Sequence, residues 1–117
     1  MSVKFKLVFF GPSANTQAIL DHLFLTFPQQ LGNIGKYDQC AFITRGTGQF
    51  RPGPGADPTL GPVGQLGRVE EDRVEIVVND GSKELVSKAI QELKKASSTR
   101  VHPYDEVAYD VFKMEDF

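Results

Sequence analysis

Cysteine and histidine are scarce in this chain, and their scarcity narrows its chemistry. Cys40 is the one cysteine among 117 residues. It cannot form an intrachain disulfide, which excludes a disulfide-stapled scaffold and agrees with a reducing compartment. Two histidines, His22 and His102, and a single thiol leave few ligands for a buried transition-metal centre. Neither sign of charge dominates, since 13 Lys and Arg face 15 Asp and Glu for a formal charge of -2. That balance argues against nucleic acid and against an anionic membrane surface as partners. Long apolar runs are missing as well. Stretches such as Leu7 to Phe10 and Leu23 to Leu25 fall far below the roughly 18 residues of a spanning helix, and the start of the chain carries no signal-peptide pattern. A cytoplasmic protein with no membrane partner is expected.

The residues present, 40% apolar and 24% charged, are those of an ordinary globular chain, so disorder and collagen-like repeats drop out. One domain over residues 1–117 is expected. Val3, Phe5, Leu7 and Phe9 alternate with Lys4 and Lys6, predicting a strand to Phe10. Val8 and Phe10 break the alternation, as in a central strand or one that meets a second subunit. Gly11 and Pro12 are expected to end it, and Ser13 to cap a helix reaching Phe27 with Ile19, Leu20, Leu23, Phe24 and Phe27 on one stripe. A second strand is expected over Tyr37 to Thr44, with Cys40 and Phe42 on one face and Ala41 and Ile43 on the other. From Gly46 to Gly67, seven Gly and four Pro in 22 residues predict a long, ordered loop.

Arg68 to Val78 reads as a third strand with Val74, Ile76 and Val78 on one face. Val69 has the opposite parity, which predicts a bulge or bend near Asp72. After a turn at Asn79, Asp80 and Gly81, Ser82 is placed to cap a second helix to about Ala96. Its stripe is Leu85, Ala89, Ile90, Leu93 and Ala96, with Glu84 in the first turn and Lys94 and Lys95 in the last, matching the helix dipole. Val107 to Phe112 alternates as a final strand. The order is the split βαββαβ of an α+β, ferredoxin-like fold, a four-stranded antiparallel sheet with two helices on one face. The other face must be solvated, bind a ligand or pair with another copy. Nine Phe and three Tyr favour burial against a partner, and homo-oligomerisation is the simplest source.

Two clusters carry candidate chemistry. In Gly46-Thr-Gly-Gln-Phe-Arg-Pro52, closely spaced glycines can turn backbone N–H groups toward an anion and Arg45 and Arg51 can add charge-assisted bonds. No Gly-Lys-Ser/Thr follows, so this is no P-loop; the plainer reading is a hairpin with Phe50 plugging the core and Arg51 tied to a carboxylate. The second cluster, His102-Pro-Tyr-Asp-Glu106, gathers an imidazole, a phenol and two carboxylates. It serves either as acid, base or ligand, or as packing at a subunit interface. The run Glu70, Glu71, Asp72, Arg73, Glu75 reads as a solvated edge with ion pairs, because neighbouring strand residues point to opposite faces. Cys40 reads as a small core residue.

Gly35-Lys-Tyr-Asp-Gln-Cys-Ala-Phe42, Gly46 to Pro52, Gly55-Ala-Asp-Pro-Thr-Leu-Gly61, Val69-Glu-Glu-Asp-Arg-Val-Glu75 and His102-Pro-Tyr-Asp-Glu-Val-Ala-Tyr-Asp-Val111 together resemble the insert domain of the NGG-interacting-factor-three-like proteins, often labelled type-two GTP cyclohydrolase I. The resemblance implies a CutA-like or PII-like fold, and spans nearly the whole chain. In full-length members the two-metal centre lies in a different domain, so neither its ligands nor the cyclohydrolase label carries over here; the likeness is to stand-alone versions of the insert. It implies a non-catalytic, oligomeric binding or regulatory module, a trimer first and a dimer next, with a polar pocket for a small anionic ligand or a metal near a subunit boundary. Its expected residues are Tyr37, Cys40, Gln49, Arg51, Arg73, His102, Tyr104 and Glu106, with Arg51 on the anion and His102 and Glu106 tuning or coordinating. No cofactor is specified. The alternatives are a small metal-dependent hydrolase using His102 and Glu106, and a protein-interaction subunit of a larger complex.

Overall fold

The computed structural model describes residues 3–58, 61–79, 82–98 and 106–117. Strand β1 (Lys4–Pro12) leads through one 3-10 turn (Ser13–Asn15) into helix α1 (Thr16–Thr26). Strands β2 (Phe42–Phe50) and β3 (Gly67–Val78) follow, then helix α2 (Lys83–Ser98) and strand β4 (Tyr109–Met114). All strand pairs are antiparallel, in the order β2-β3-β1-β4. The fold is therefore the expected α+β, ferredoxin-like βαββαβ, with the doubly apolar β1 inside the sheet.

Alternation along the strands decides which side chains meet the helices. Phe5, Leu7 and Phe9 of β1 lie opposite Val78, Ile76 and Val74 of β3, and Val111 and Tyr109 of β4 flank Leu7 and Phe9. Onto this layer α1 lays Ile19, Leu20, Leu23 and Phe24, and α2 lays Val86, Ala89 and Leu93. Burying each large aliphatic or aromatic side chain contributes about 1.5–3 kcal/mol. The helix ends follow local chemistry. Leu85 N–H donates to Ser82 Oγ at 3.2 Å, the expected cap of α2. On the helix surfaces, His22 Nε2 lies 3.2 Å from Glu92 Oε1, joining α1 to α2.

Four expectations are corrected. Strand β2 covers 42–50 rather than 37–44, so the residues from Gly46 to Phe50 belong to a strand and the long loop starts at Arg51. Glycine lowers strand propensity, but β3 offers Gly46 to Phe50 a continuous ladder from Glu71 to Gly67, which outweighs it. Strand β1 passes through Gly11 and ends at Pro12, tolerated as a strand terminus. Strand β4 starts at Tyr109, two positions after Val107, and runs to Met114. The registers on both sides of β3 run without a slip, so there is no bulge near Asp72.

Asp72 instead keeps the core-side parity and is itself buried, at 3% exposure. Ser13 does not cap α1: its Oγ donates to Asp72 Oδ1 at 2.8 Å, and Thr16 Oγ1 donates to Oδ2 at 2.5 Å. Arg45 Nε approaches the same carboxylate at 3.5 Å. Burial pushes the Asp72 carboxyl up, yet the Thr16 and Ser13 hydroxyls and the Arg45 guanidinium outweigh burial and hold it below the ordinary aspartate value.

A carboxyl lowered on folding stabilises the fold above its unfolded-state pKa, about 3.9, and loses that contribution as pH falls through the folded value. Asp72→Ala should cost about 1.5–3 kcal/mol at pH 7, the range for hydrogen bonds to a charged group. Urea denaturation at pH 7 and at progressively lower pH below 4 checks this: the gap between wild type and variant should shrink with acid.

Candidate functional site

Strand β1 reaches only as far as Glu71 along β3, so Thr47–Phe50 and Gly67–Glu70 pair with each other alone. They form a two-stranded arm, and the molecule measures 48 × 26 × 24 Å. Beyond the arm, the loop is drawn together at its neck by Gly64 N–H donating to Pro52 carbonyl at 2.7 Å. Phe50 does not plug the core; its ring lies across Gly67, where a Cβ would sit 2.7 Å from it.

The two sides of the arm differ in chemistry. On the side shared with the helices, Arg45, Thr47 and Gln49 stand opposite Asp72, Glu70 and Arg68. Arg45 Nη1 pairs with Glu70 Oε1 at 3.1 Å. A shallow depression of about 440 Å³ lies here, lined by Arg45, Gly46, Thr47, Arg68, Val69 and Glu70. Arg68 makes no ion pair with any described residue. The opposite side carries Gly46, Gly48 and Gly67. Glu71 lies against Gly48, while a Cβ at Gly46 would meet nothing within 4 Å.

Of the expected site residues, the six that are described do not converge within one chain. Arg73 points to the helix-free face, its guanidinium 6.0 Å from the Phe10 ring centroid and its Nε 3.8 Å from Glu75 Oε2. Gln49 faces the other side, and Gln49 and Arg73 sit opposite Arg68 and Thr44, five positions or about 17 Å apart along the arm. Arg51 is exposed just past β2 and has no carboxylate partner among the described residues. Tyr37, 76% exposed, closes a tight turn with Ile34 at the other end of β2. Cys40 is half-buried rather than core, with its thiol donating to Asp38 carbonyl at 3.6 Å. Glu106 is exposed. His102 and Tyr104 lie outside the described residues, as do Asp80 and Gly81 of the expected turn.

Of the acidic run, Glu70 and Glu75 make the exposed ion pairs expected of a solvated edge, whereas Asp72 does not. The sequence reading missed Thr47 and Arg68 as site residues. Their signal was the alternation of Arg45, Thr47 and Gln49, which means something only once Gly46 to Phe50 is a strand. Among the described residues, no three His, Cys, Asp or Glu side chains gather as metal ligands. No described helix is long and apolar enough to cross a membrane.

The fold defines the class: a ferredoxin-like domain with the architecture of CutA. The divalent ion tolerance protein CutA1 from Ehrlichia chaffeensis superposes with TM-score 0.62 at 16% identity, over 100% of this chain and 86% of that one, a likeness of fold. A Bacillus cereus protein related to NIF3 superposes with TM-score 0.73 at 33% identity, over 98% of this chain and 26% of that one. The GTP cyclohydrolase 1 type 2 homolog of Halalkalibacterium halodurans is 36% identical over 110 residues, 94% of this chain and 27% of the relative. That of Bacillus subtilis is 40% identical over 84 residues, 72% of this chain and 20% of the relative. No family model matches. The chain belongs to this family of NIF3-related GTP cyclohydrolase 1 type 2 homologs, and spans about a quarter of the length of the curated relatives it matches.

The segment carrying Tyr37 and Cys40 is held by Gly32, whose φ is +78° and whose added Cβ would lie 2.5 Å from Phe24 and 3.0 Å from the Cys40 backbone. Its N–H donates to Val77 carbonyl and its carbonyl accepts from Cys40 N–H. Gly32→Ala should therefore cost about 1–3 kcal/mol, by left-handed strain and overpacking. Gly35→Ala meets no neighbour within 4 Å and should cost less, through its φ of +58° alone. Thermal unfolding of the two variants checks the order.

Proposed function

We propose that this chain is a non-catalytic, homo-oligomeric binding or regulatory module that holds a small anionic ligand on its arm, near a boundary between copies. The arm carries the reading. One side presents the guanidinium groups of Arg45 and Arg68 with the Thr47 hydroxyl, the donors that recognise phosphate or carboxylate. Gln49 lies on the same side, and Arg51 adds an exposed cation at the outer end of β2. The other side has no side chain at Gly46, which lines a small depression with Phe10, Thr44 and Arg73, and a Cβ there would meet nothing within 4 Å. Glycine in a strand interior is costly and marks a place where another backbone comes close.

That side continues into the helix-free face of the sheet, where Phe42 and Phe112 are 66% and 52% exposed. Lys4, Lys6 and Asp110 on that face make no ion pair with described residues. An apolar face flanked by unpaired charges of both signs complements a second copy of itself better than a partner of one charge. Three copies is the stoichiometry proposed first, two the next. The relatives are named for GTP, a polyanion of the class these donors suit.

Native mass spectrometry of wild type should show an oligomer. Gly46→Val, which improves strand propensity and clashes with nothing, should leave the fold and its thermal midpoint intact while shifting the mass toward monomer. GTP and inorganic phosphate should shift the NMR resonances of Thr47 and Arg68, and Arg68→Ala should abolish those shifts without unfolding. A wild-type monomer, or no saturable shift at millimolar ligand, overturns the corresponding half of the proposal.

A further inference from the structure

A second concave surface lies on the far side of the body from the arm. Phe5, Val86, Ile90, Tyr109 and Val111 floor a groove of about 470 Å³ between α2 and β4, with Ser87 and Gln91 in its wall and Lys83 and Lys94 on its rim. The lining residues of α2 recur at helical spacing, so the groove follows about three turns of the helix. Lys83 and Lys94 are then separated by about 16 Å along the axis. Lys94 Nζ stands 5.4 Å from the Tyr109 ring centroid. The groove opens beside β4, which is an outer strand of the sheet, so among the described residues its outer edge has no strand partner and offers backbone N–H and C=O groups to an added chain.

The lysines divide in a telling way. Lys88 and Lys95, on α2 but outside the groove, are paired at 3.3 Å with Glu84 and at 3.1 Å with Glu92. Lys83 and Lys94 on the rim have no carboxylate within ion-pair distance among the described residues, and neither has Lys113, which lies opposite Phe5 on the helix side of β4. An apolar floor, a free strand edge and unpaired cations of one sign specify an occupant that is extended, apolar at its centre and acidic at its ends.

The geometry points to a docking site for an extended acidic peptide segment that adds to the edge of β4. Alternate side chains of such a strand face the groove. In the pattern Glu-x-apolar-x-Glu the apolar residue enters the floor, and the two carboxylates stand about 13 Å apart. Long side chains on both partners close the remaining few ångströms to Lys83 and Lys94. This surface is independent of the anion site and of the copy-to-copy face proposed above.

The probe is the synthetic peptide acetyl-Thr-Glu-Thr-Val-Thr-Glu-Thr-amide, titrated into the whole chain and followed by amide NMR, with a fluorescein-labelled copy of the same peptide followed by fluorescence anisotropy. Saturable shifts are expected at the β4 amides from Tyr109 to Met114 and along α2, weakening as salt is raised. The surface double variant Lys83→Glu with Lys94→Glu should weaken binding at least tenfold, and a peptide with Lys in place of both Glu should not bind. The variant's unchanged thermal midpoint excludes misfolding. Absence of saturable shifts, shifts confined elsewhere, or affinity unchanged by charge reversal overturns the proposal.

Discussion

The carboxylate of Asp72 joins parts of the chain that nothing in local sequence brings together. Ser13 and Thr16, at the entrance to α1, are 59 and 56 residues away from it in the chain, and both donate to it. Arg45 approaches from β2. The carboxylate therefore fixes where α1 begins, which strand it begins over, and the point on the sheet beyond which helices no longer cover it. Buried charge is costly, and two hydroxyls and a guanidinium compensate it here. The body of the fold lies on one side of this junction, closed by Phe9, Val74 and the helix stripes. On the other side the same strand parity carries only polar residues, Glu70 and Arg68.

That change of chemistry along a single parity explains why the arm exists at all. A two-stranded ribbon in water gains little from burial, so it persists through its backbone ladder, through cross-strand pairs and through continuity with the sheet. Arg45 with Glu70 supplies one such pair, and the Phe50 ring across Gly67 supplies another. The exposed ion pair is worth little by itself. Its consequence is positional: with Asp72 and Glu70 both drawing on Arg45, this guanidinium is held at the junction, while Arg68 further out is left for something else.

The hydrophobic elements were readable from the sequence because periodicity reports burial directly. Ile19, Leu20, Leu23 and Phe24 on α1, Ala89 and Leu93 on α2, and Val74, Ile76 and Val78 on β3 all lie where their spacing placed them. The arm was not readable, for the opposite reason. Gly46 and Gly48 suppress strand propensity, and no apolar alternation marks a ribbon that buries nothing. Asp72 was misread with it: an acidic run looks like a solvated edge unless one knows that Ser13 and Thr16 arrive above its middle member. Long-range polar pairing leaves no local trace, and the candidate site is built from such pairs. The family motifs Gly46 to Pro52 and Val69 to Glu75 fall on the arm, but they do not say which side chains face together.

The two ends of the molecule thus present different kinds of surface. At the arm, Arg45 is held in pairs and the Arg68 guanidinium is left over a shallow, open floor, an arrangement suited to a small anionic ligand. At β4, the floor is apolar and the cations stand at its rim, beside a backbone edge that a strand can extend. The chain matches about a quarter of the length of its relatives, and both surfaces lie within that matched part. The strand order of the sheet separates these surfaces by its full width: β2 and β4 are its opposite edges, with β3 and β1 between them. Occupancy of one edge therefore leaves the other sterically free, and any coupling between them has to pass through the packed interior strands.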